Sequence, residues 1–112
     1  MALADLDVSE FEKAAAEVAS VLRALANERR LMVLCELATS GEASVGQLAD
    51  AVELSQSALS QHLGKMRDEK LVEFRRDGQT LWYRIADPRV EEMLATLQRL
   101  YCAPRKISRK RS

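Results

Sequence analysis

Between Leu54 and Met66 the apolar residues Leu54, Ala58, Leu59, Leu63 and Met66 recur at helical spacing and form one stripe. The face between them carries Gln56, Ser57, Ser60, Gln61 and Lys65, short polar side chains with few charges. An ordinary solvated helix face carries Glu/Lys pairs instead. Neutral amides and hydroxyls that both donate and accept are what base edges and phosphates require. Ser55 stands at the N-cap position, where unpaired N–H groups attract phosphate. The stretch reads as the second, DNA-reading helix of a helix-turn-helix. A Ser/Gln-rich surface helix is the plain alternative, and the flanking segments tip the reading away from it.

Ser9 and Glu12 have the S-x-x-E spacing of a capping box that opens a first helix. Phe11, Ala14, Ala15, Val18, Leu22 and Leu25 continue it as a long amphipathic helix ending near Ala26, whose stripe needs the core or a partner chain to cover it. Asn27, with Glu28 in the first turn, caps a second helix with Leu31, Leu34, Cys35 and Ala38 as its inner stripe and Gly41 as its end. Ser44 and Gln47 make a second capping box, and Val45, Leu48, Ala49 and Val52 a short third helix. Glu53-Leu54 is the turn into the polar helix. Short helix, tight turn and polar-faced helix is helix-turn-helix order.

The polar helix ends near Asp68-Glu69-Lys70, and the hydrophobic period then changes from 3.6 to 2. Leu71 to Arg76 reads as a strand, Asp77-Gly78 as a two-residue turn with both positions at positive φ, and Gln79 to Ile85 as the return strand. Leu81, Tyr83 and Ile85 face the core; Thr80, Trp82 and Arg84 face outward. This hairpin is a wing whose Arg75, Arg76 and Gln79 suit phosphate or minor-groove contact. Asp87-Pro88 starts the last helix, striped with Val90, Met93, Leu94, Leu97, Leu100 and Tyr101, and Ala103-Pro104 stops it just past Cys102. The expected architecture is mainly α with a small β-hairpin, a winged helix-turn-helix. It spans residues 9–103, between a disordered leader (1–8) and a basic disordered tail (104–112).

A chain of 112 residues suggests one domain, and one short enough that dimerisation is a plausible way to bury more apolar surface. No stretch approaches ~18 consecutive apolar residues, and the acidic N-terminus is no signal peptide, so a cytoplasmic protein is expected. Net charge is zero, but its distribution is not even: residues 1–53 hold 4 basic and 10 acidic side chains, 54–86 hold 6 and 4, and 87–112 hold 7 and 3. The positive charge lies in the half containing the polar helix, as a DNA footprint requires. The DNA-binding set is therefore Ser55, Gln56, Ser57, Ser60, Gln61, His62, Lys65, Arg75, Arg76 and Gln79. No C-x-x-C, nucleophile–base pair or phosphate loop supports catalysis, and no cofactor is implied. Cys35 and Cys102 are, in a reducing cytosol, either two inert thiols or a switch.

The run Leu25-Ala26-Asn27-Glu28-Arg29-Arg30-Leu31 resembles the opening of ArsR/SmtB-family winged-helix repressors. Ser44 to Leu48, Leu54 to Leu63, and Leu71-Val72 through Tyr83 and Ile85 resemble the same family. The resemblance covers roughly residues 18–102. It implies dimerisation through the first and last helices, and a repressor released from operator DNA by an inducer. Where soft-metal sensors of the family carry Cys-x-Cys, this chain has Ser44-Val45-Gly46. Asp87 remains of the zinc-type ligands, but Arg89 and Leu100 stand where histidines would be, so no metal site is expected.

Val33-Leu34-Cys35-Glu36-Leu37 and Leu100-Tyr101-Cys102 instead resemble the SqrR/BigR/HlyU branch, a dithiol group sensing persulfides and, in some members, oxidants. That resemblance implies that Cys35 and Cys102 of one protomer become joined by a disulfide or polysulfide bridge. Arg29, Arg30 and Arg99 are candidate neighbours for lowering a thiol pKa. A metal or metalloid sensor using the two cysteines, and a dithiol enzyme or thiol-based interaction module, are the competing readings.

Overall fold

The computed structural model describes residues 7–102. Along them run α1 (Val8–Leu25), α2 (Glu28–Ser40), β1 (Ala43–Ser44), α3 (Val45–Val52), α4 (Gln56–Asp68), β2 (Val72–Asp77), β3 (Thr80–Ile85) and α5 (Pro88–Tyr101). Residues 1–6 of the expected 1–8 leader, and residue 103 with the expected 104–112 tail, lie outside the described residues, while Val8 of that leader already belongs to α1. This is the winged helix-turn-helix expected from the sequence, and no described helix is long and apolar enough to cross a membrane.

Local hydrogen bonding sets most of the boundaries. Asn27 accepts from Arg30 N, Ser55 from Ala58 N and Asp87 from Arg89 N, while Ser44 and Gln47 form the full reciprocal box. The first helix departs from expectation. Its cap is Asp7, which accepts from the N–H groups of Ser9 and Glu10, so Ser9 lies inside the first turn and the Ser9–Glu12 box is not made. A carboxylate at a helix N-terminus also complements the dipole, which a hydroxyl does not.

The caps that end α2 and α3 both lie at positive φ. Gly41 ends α2 at φ +85°, a conformation that suits glycine, whereas Glu53 ends α3 at φ +58° with a side chain present. Replacing Glu53 by glycine removes a penalty of about 1 kcal/mol. Glu53→Gly is expected to raise the thermal midpoint by roughly 4–8 °C; a midpoint that fell would show that the Glu53 side chain holds the turn.

The sheet has strand order β1-β3-β2, all antiparallel. The two-residue strand β1 pairs Ala43 with Tyr83 and Ser44 with Trp82, and it was not expected. The hairpin turn also sits one residue later than read. Asp77 pairs with Thr80, leaving Gly78-Gln79 as the loop, and Gly78 is its only residue at positive φ. Glycine at the first central position is the type II′ pattern, so one left-handed residue suffices. Tyr83 and Ile85 are buried and Arg84 is exposed, as alternation requires.

Leu34, Leu48, Leu59, Leu63, Val72 and Leu94 are each under 2 % exposed and join α2, α3, α4, the sheet and α5 into one core. The fully buried apolar residues of α2 are Val33, Leu34 and Leu37, and Leu31, Cys35 and Ala38 of the expected stripe pack half-buried against the same core. Arg30 is buried beside it, its Nη1 donating to Ala24 O at 3.2 Å and to Glu69 Oε1 at 3.1 Å, which fastens α1 and the end of α4 to the start of α2. By contrast α1 buries only Leu25.

Candidate nucleic-acid interface and thiol pair

α4 presents two chemically distinct faces. Leu59, Leu63 and Met66, at i, i+4 and i+7, are buried and seat the helix. Gln56, Ser57, Ser60, Gln61 and Lys65 are exposed on the other side, and His62 is half-buried at the border. Ser55 is exposed, and its Oγ accepts Ala58 N–H at 3.1 Å, so it caps the helix. α3 meets α4 closely, and a Cβ on Gly46 would lie 3.8 Å from Gln56 Nε2. Farther along, Lys65 lines a cavity of about 290 Å³ with Arg23, Arg30 and Glu69.

In the wing, Arg76 and Gln79 are exposed near the turn. Arg75 is differently placed. Its Nε and Nη2 donate to Glu42 at 2.8 and 3.0 Å, and its guanidinium lies over the Trp82 ring, 5.8 Å from the centroid. The Arg75 guanidinium holds the Glu42 carboxyl below its ordinary pKa. Arg84 donates to Glu73 at 2.7 Å, and Arg67 covers the Phe74 ring at 5.0 Å. Nothing in the sequence signalled Glu42, which lies outside the strands it restrains.

Cys35 on α2 and Cys102 at the C-cap of α5 are free thiols, the first half-buried and the second exposed. Gln98 joins their backbones. Its Nε2 donates to Cys35 O at 3.5 Å, and its own carbonyl accepts Cys102 N–H at 2.9 Å. Gln98 lies one turn before Cys102, a spacing that could have singled it out. Of the arginines named as thiolate neighbours, Arg29 and Arg99 are exposed, while Arg30 is engaged by Glu69 and Ala24.

At the start of α5, Asp87 accepts from Arg89 through Nε, Nη2 and the backbone N–H, and Arg89 Nη2 also reaches Glu17 of α1 at 2.9 Å. The Arg89 guanidinium, then its backbone N–H, hold the Asp87 carboxyl below its ordinary value of 3.8. A lowered carboxylate pKa stabilises the fold fully above the ordinary value and less as pH falls through the folded one. Asp87→Asn is therefore expected to flatten the loss of stability below about pH 4; acid melts of equal steepness in both proteins would contradict this. Among the described residues, no group of three or more His, Cys, Asp or Glu side chains is arranged to hold a metal.

The family described as bacterial regulatory proteins of the arsR family matches residues 27–73. A transcriptional activator, HlyU of Vibrio cholerae, is 46% identical over 99 residues, covering 88% of this chain and 91% of that protein. The chain belongs to the arsR family. A biofilm growth-associated repressor of Agrobacterium fabrum is 37% identical over 91% of this chain and 86% of its own length. The crystal structure of the transcriptional repressor BigR from Xylella fastidiosa superposes with a TM-score of 0.80 at 35% identity, covering 88% of this chain and all of that one. The chain is thus an arsR-family helix-turn-helix regulator of the HlyU/BigR-like branch. In this arsR-family chain α3 and α4 are the helix-turn-helix and β2–β3 the wing.

Proposed function

We propose that this protein is a homodimeric repressor that holds operator DNA in its thiol form and releases it when Cys35 and Cys102 of one protomer are bridged, with persulfides and oxidants as inducers. The observation that carries the reading is Gln98, which links Cys35 on α2 to Cys102 on α5 through one side chain and one helical turn. The chemistry is balanced in two displacements. One thiolate takes the outer sulfur of a persulfide and releases a thiolate; the second cysteine's thiolate then attacks the protein-bound sulfur and expels hydrosulfide, leaving a disulfide. If both cysteines carry the extra sulfur, the same displacement leaves a trisulfide. With peroxide the first product is a sulfenic acid, and the second thiol condenses with it to release water.

Dimerisation through α1 and α5 is supported by the apolar side chains the fold leaves uncovered: Phe11 is 60% exposed, Leu22 51%, Leu100 67% and Tyr101 84%. In a dimer, two α4 helices spaced about 34–36 Å apart enter successive major grooves. Ser57, Ser60, Gln56 and Gln61 then face base edges. Lys65, His62 and the open N-terminus capped by Ser55 serve phosphates, as do Arg76 and Gln79 of the wing. A bridge between α2, which packs on α3 of the helix-turn-helix, and α5, which lies in the dimer seam, changes that spacing. The site of action is the cytoplasm.

A gel shift on the DNA upstream of the protein's own gene tests this. Reduced protein is expected to shift the fragment, to lose it after glutathione persulfide or peroxide, and to regain it with reductant, all independently of chelator. Bridged protein that holds the fragment as tightly as the thiol form would overturn the reading.

A further inference from the structure

Glu42 stands between the end of α2 and the start of β1, yet its carboxylate is bound by a residue of β2. Arg75 reaches it with two parallel N–H bonds, at 2.8 and 3.0 Å. The pair is braced from below, because Arg75 lies over Trp82, its direct partner in the ladder, and Trp82 also pairs with Ser44, two residues beyond Glu42. Glu73, Arg75, Trp82 and Arg84 share the outer face of the hairpin by strand alternation. Two wing arginines are thus matched by two carboxylates, Arg75 by Glu42 and Arg84 by Glu73. Among the described residues of the hairpin, Arg76 is the arginine without a carboxylate in ion-pair range.

We infer that Glu42 is a specificity-determining residue: it keeps Arg75 from serving DNA phosphate, so the wing contributes little sequence-independent attraction and discrimination is left to α4. The inference rests on the proposal that α4 and the wing bind DNA. Non-specific affinity is almost wholly phosphate neutralisation, each phosphate-bound cation contributing about 0.9 to the salt slope. A phosphate that drew Arg75 away would leave the Glu42 carboxylate unpaired beside a polyanion, which cancels most of the gain. Suppressing the non-specific term raises the ratio of operator to random-DNA binding.

The test is fluorescence anisotropy of labelled operator and random duplexes at several salt concentrations, with the full reduced chain as wild type, Glu42→Gln, Arg75→Gln and the double variant. Glu42→Gln is expected to bind random duplex roughly fivefold tighter at low salt, with a slope of log K against log salt steeper by about one, and to bind operator with a smaller gain. Arg75→Gln keeps the wild-type slope, and the double variant returns to it. An unchanged slope in Glu42→Gln overturns the inference. So does Arg75→Gln flattening the slope by about one, since Arg75 would then already serve a phosphate. Thermal melts of all four proteins identify any variant whose loss of binding is a loss of folding. Wild-type protein without salt-dependent binding would overturn the DNA-binding reading itself, an outcome distinct from both.

Discussion

Reduced Cys35→Ser and Cys102→Ser proteins are expected to bind operator as tightly as the parent chain and to stay bound after persulfide or peroxide, where the parent loses about 100-fold. That loss corresponds to about 2.7 kcal/mol of coupling between the thiols and the DNA surface. The expectation follows from where the cysteines sit. Neither lies on α4 or the wing, and neither belongs to the fully buried core, so exchanging sulfur for oxygen leaves the reading surface and its seat intact. A bridge requires Cα atoms about 4.4–6.8 Å apart for a plain disulfide, with more room for a trisulfide. Cys102 is the last residue of its helix turn and is exposed, so it is the thiol with freedom to move; Cys35 is held within α2. Isothermal operator titrations before and after inducer check both variants. A variant that is released from operator while still reduced would show that the cysteines matter for packing rather than for sensing.

The second large effect separates the seat of α4 from its reading face. Leu63→Ala is expected to destabilise the fold by about 3 kcal/mol, because Leu63 is wholly buried among Leu59, Met66 and the rest of the core and its removal leaves a cavity. In a domain of this size that lowers the thermal midpoint by roughly 15 °C. Ser60→Ala, one turn away on the exposed face, is expected to leave the midpoint within a few degrees. It is also expected to weaken operator binding by about 1–2 kcal/mol, and random-DNA binding much less. Calorimetry and anisotropy on the same samples test the pair. If Ser60→Ala bound operator as the parent does, the polar face of α4 would not be reading bases.

Much of this protein is written in short stretches of its chain. Asn27, Ser44 with Gln47, Ser55 and Asp87 cap the helix starts expected of them, because an N-cap accepts from N–H groups two or three residues away, and Gly41 ends α2 by donating its own N–H to Leu37 O. The two faces of α4 follow in the same way from a period of 3.6. Even locally, near-degenerate choices fell to the neighbour. Asp7 displaced Ser9 as the first cap, and the ladder moved the hairpin turn from Asp77-Gly78 to Gly78-Gln79, which sets Phe74 opposite Tyr83 and Val72 opposite Ile85 on the same inner face.

The links between distant residues come from packing. Glu42 with Arg75, Arg30 with Glu69 and Gln98 with Cys35 lie 33, 39 and 63 residues apart. Their partners are set by how α2 packs on α5, how the start of α2 meets the end of α4, and how β1 pairs with β3. The helices, the wing and the polar face of α4 follow from the local pattern of residues, because each rests on hydrogen bonds and burial within a turn or a strand. The fold determined which of the hairpin's described arginines lacks a carboxylate partner and which two thiols share a neighbour, because charge pairing and proximity depend on packing that no local pattern encodes.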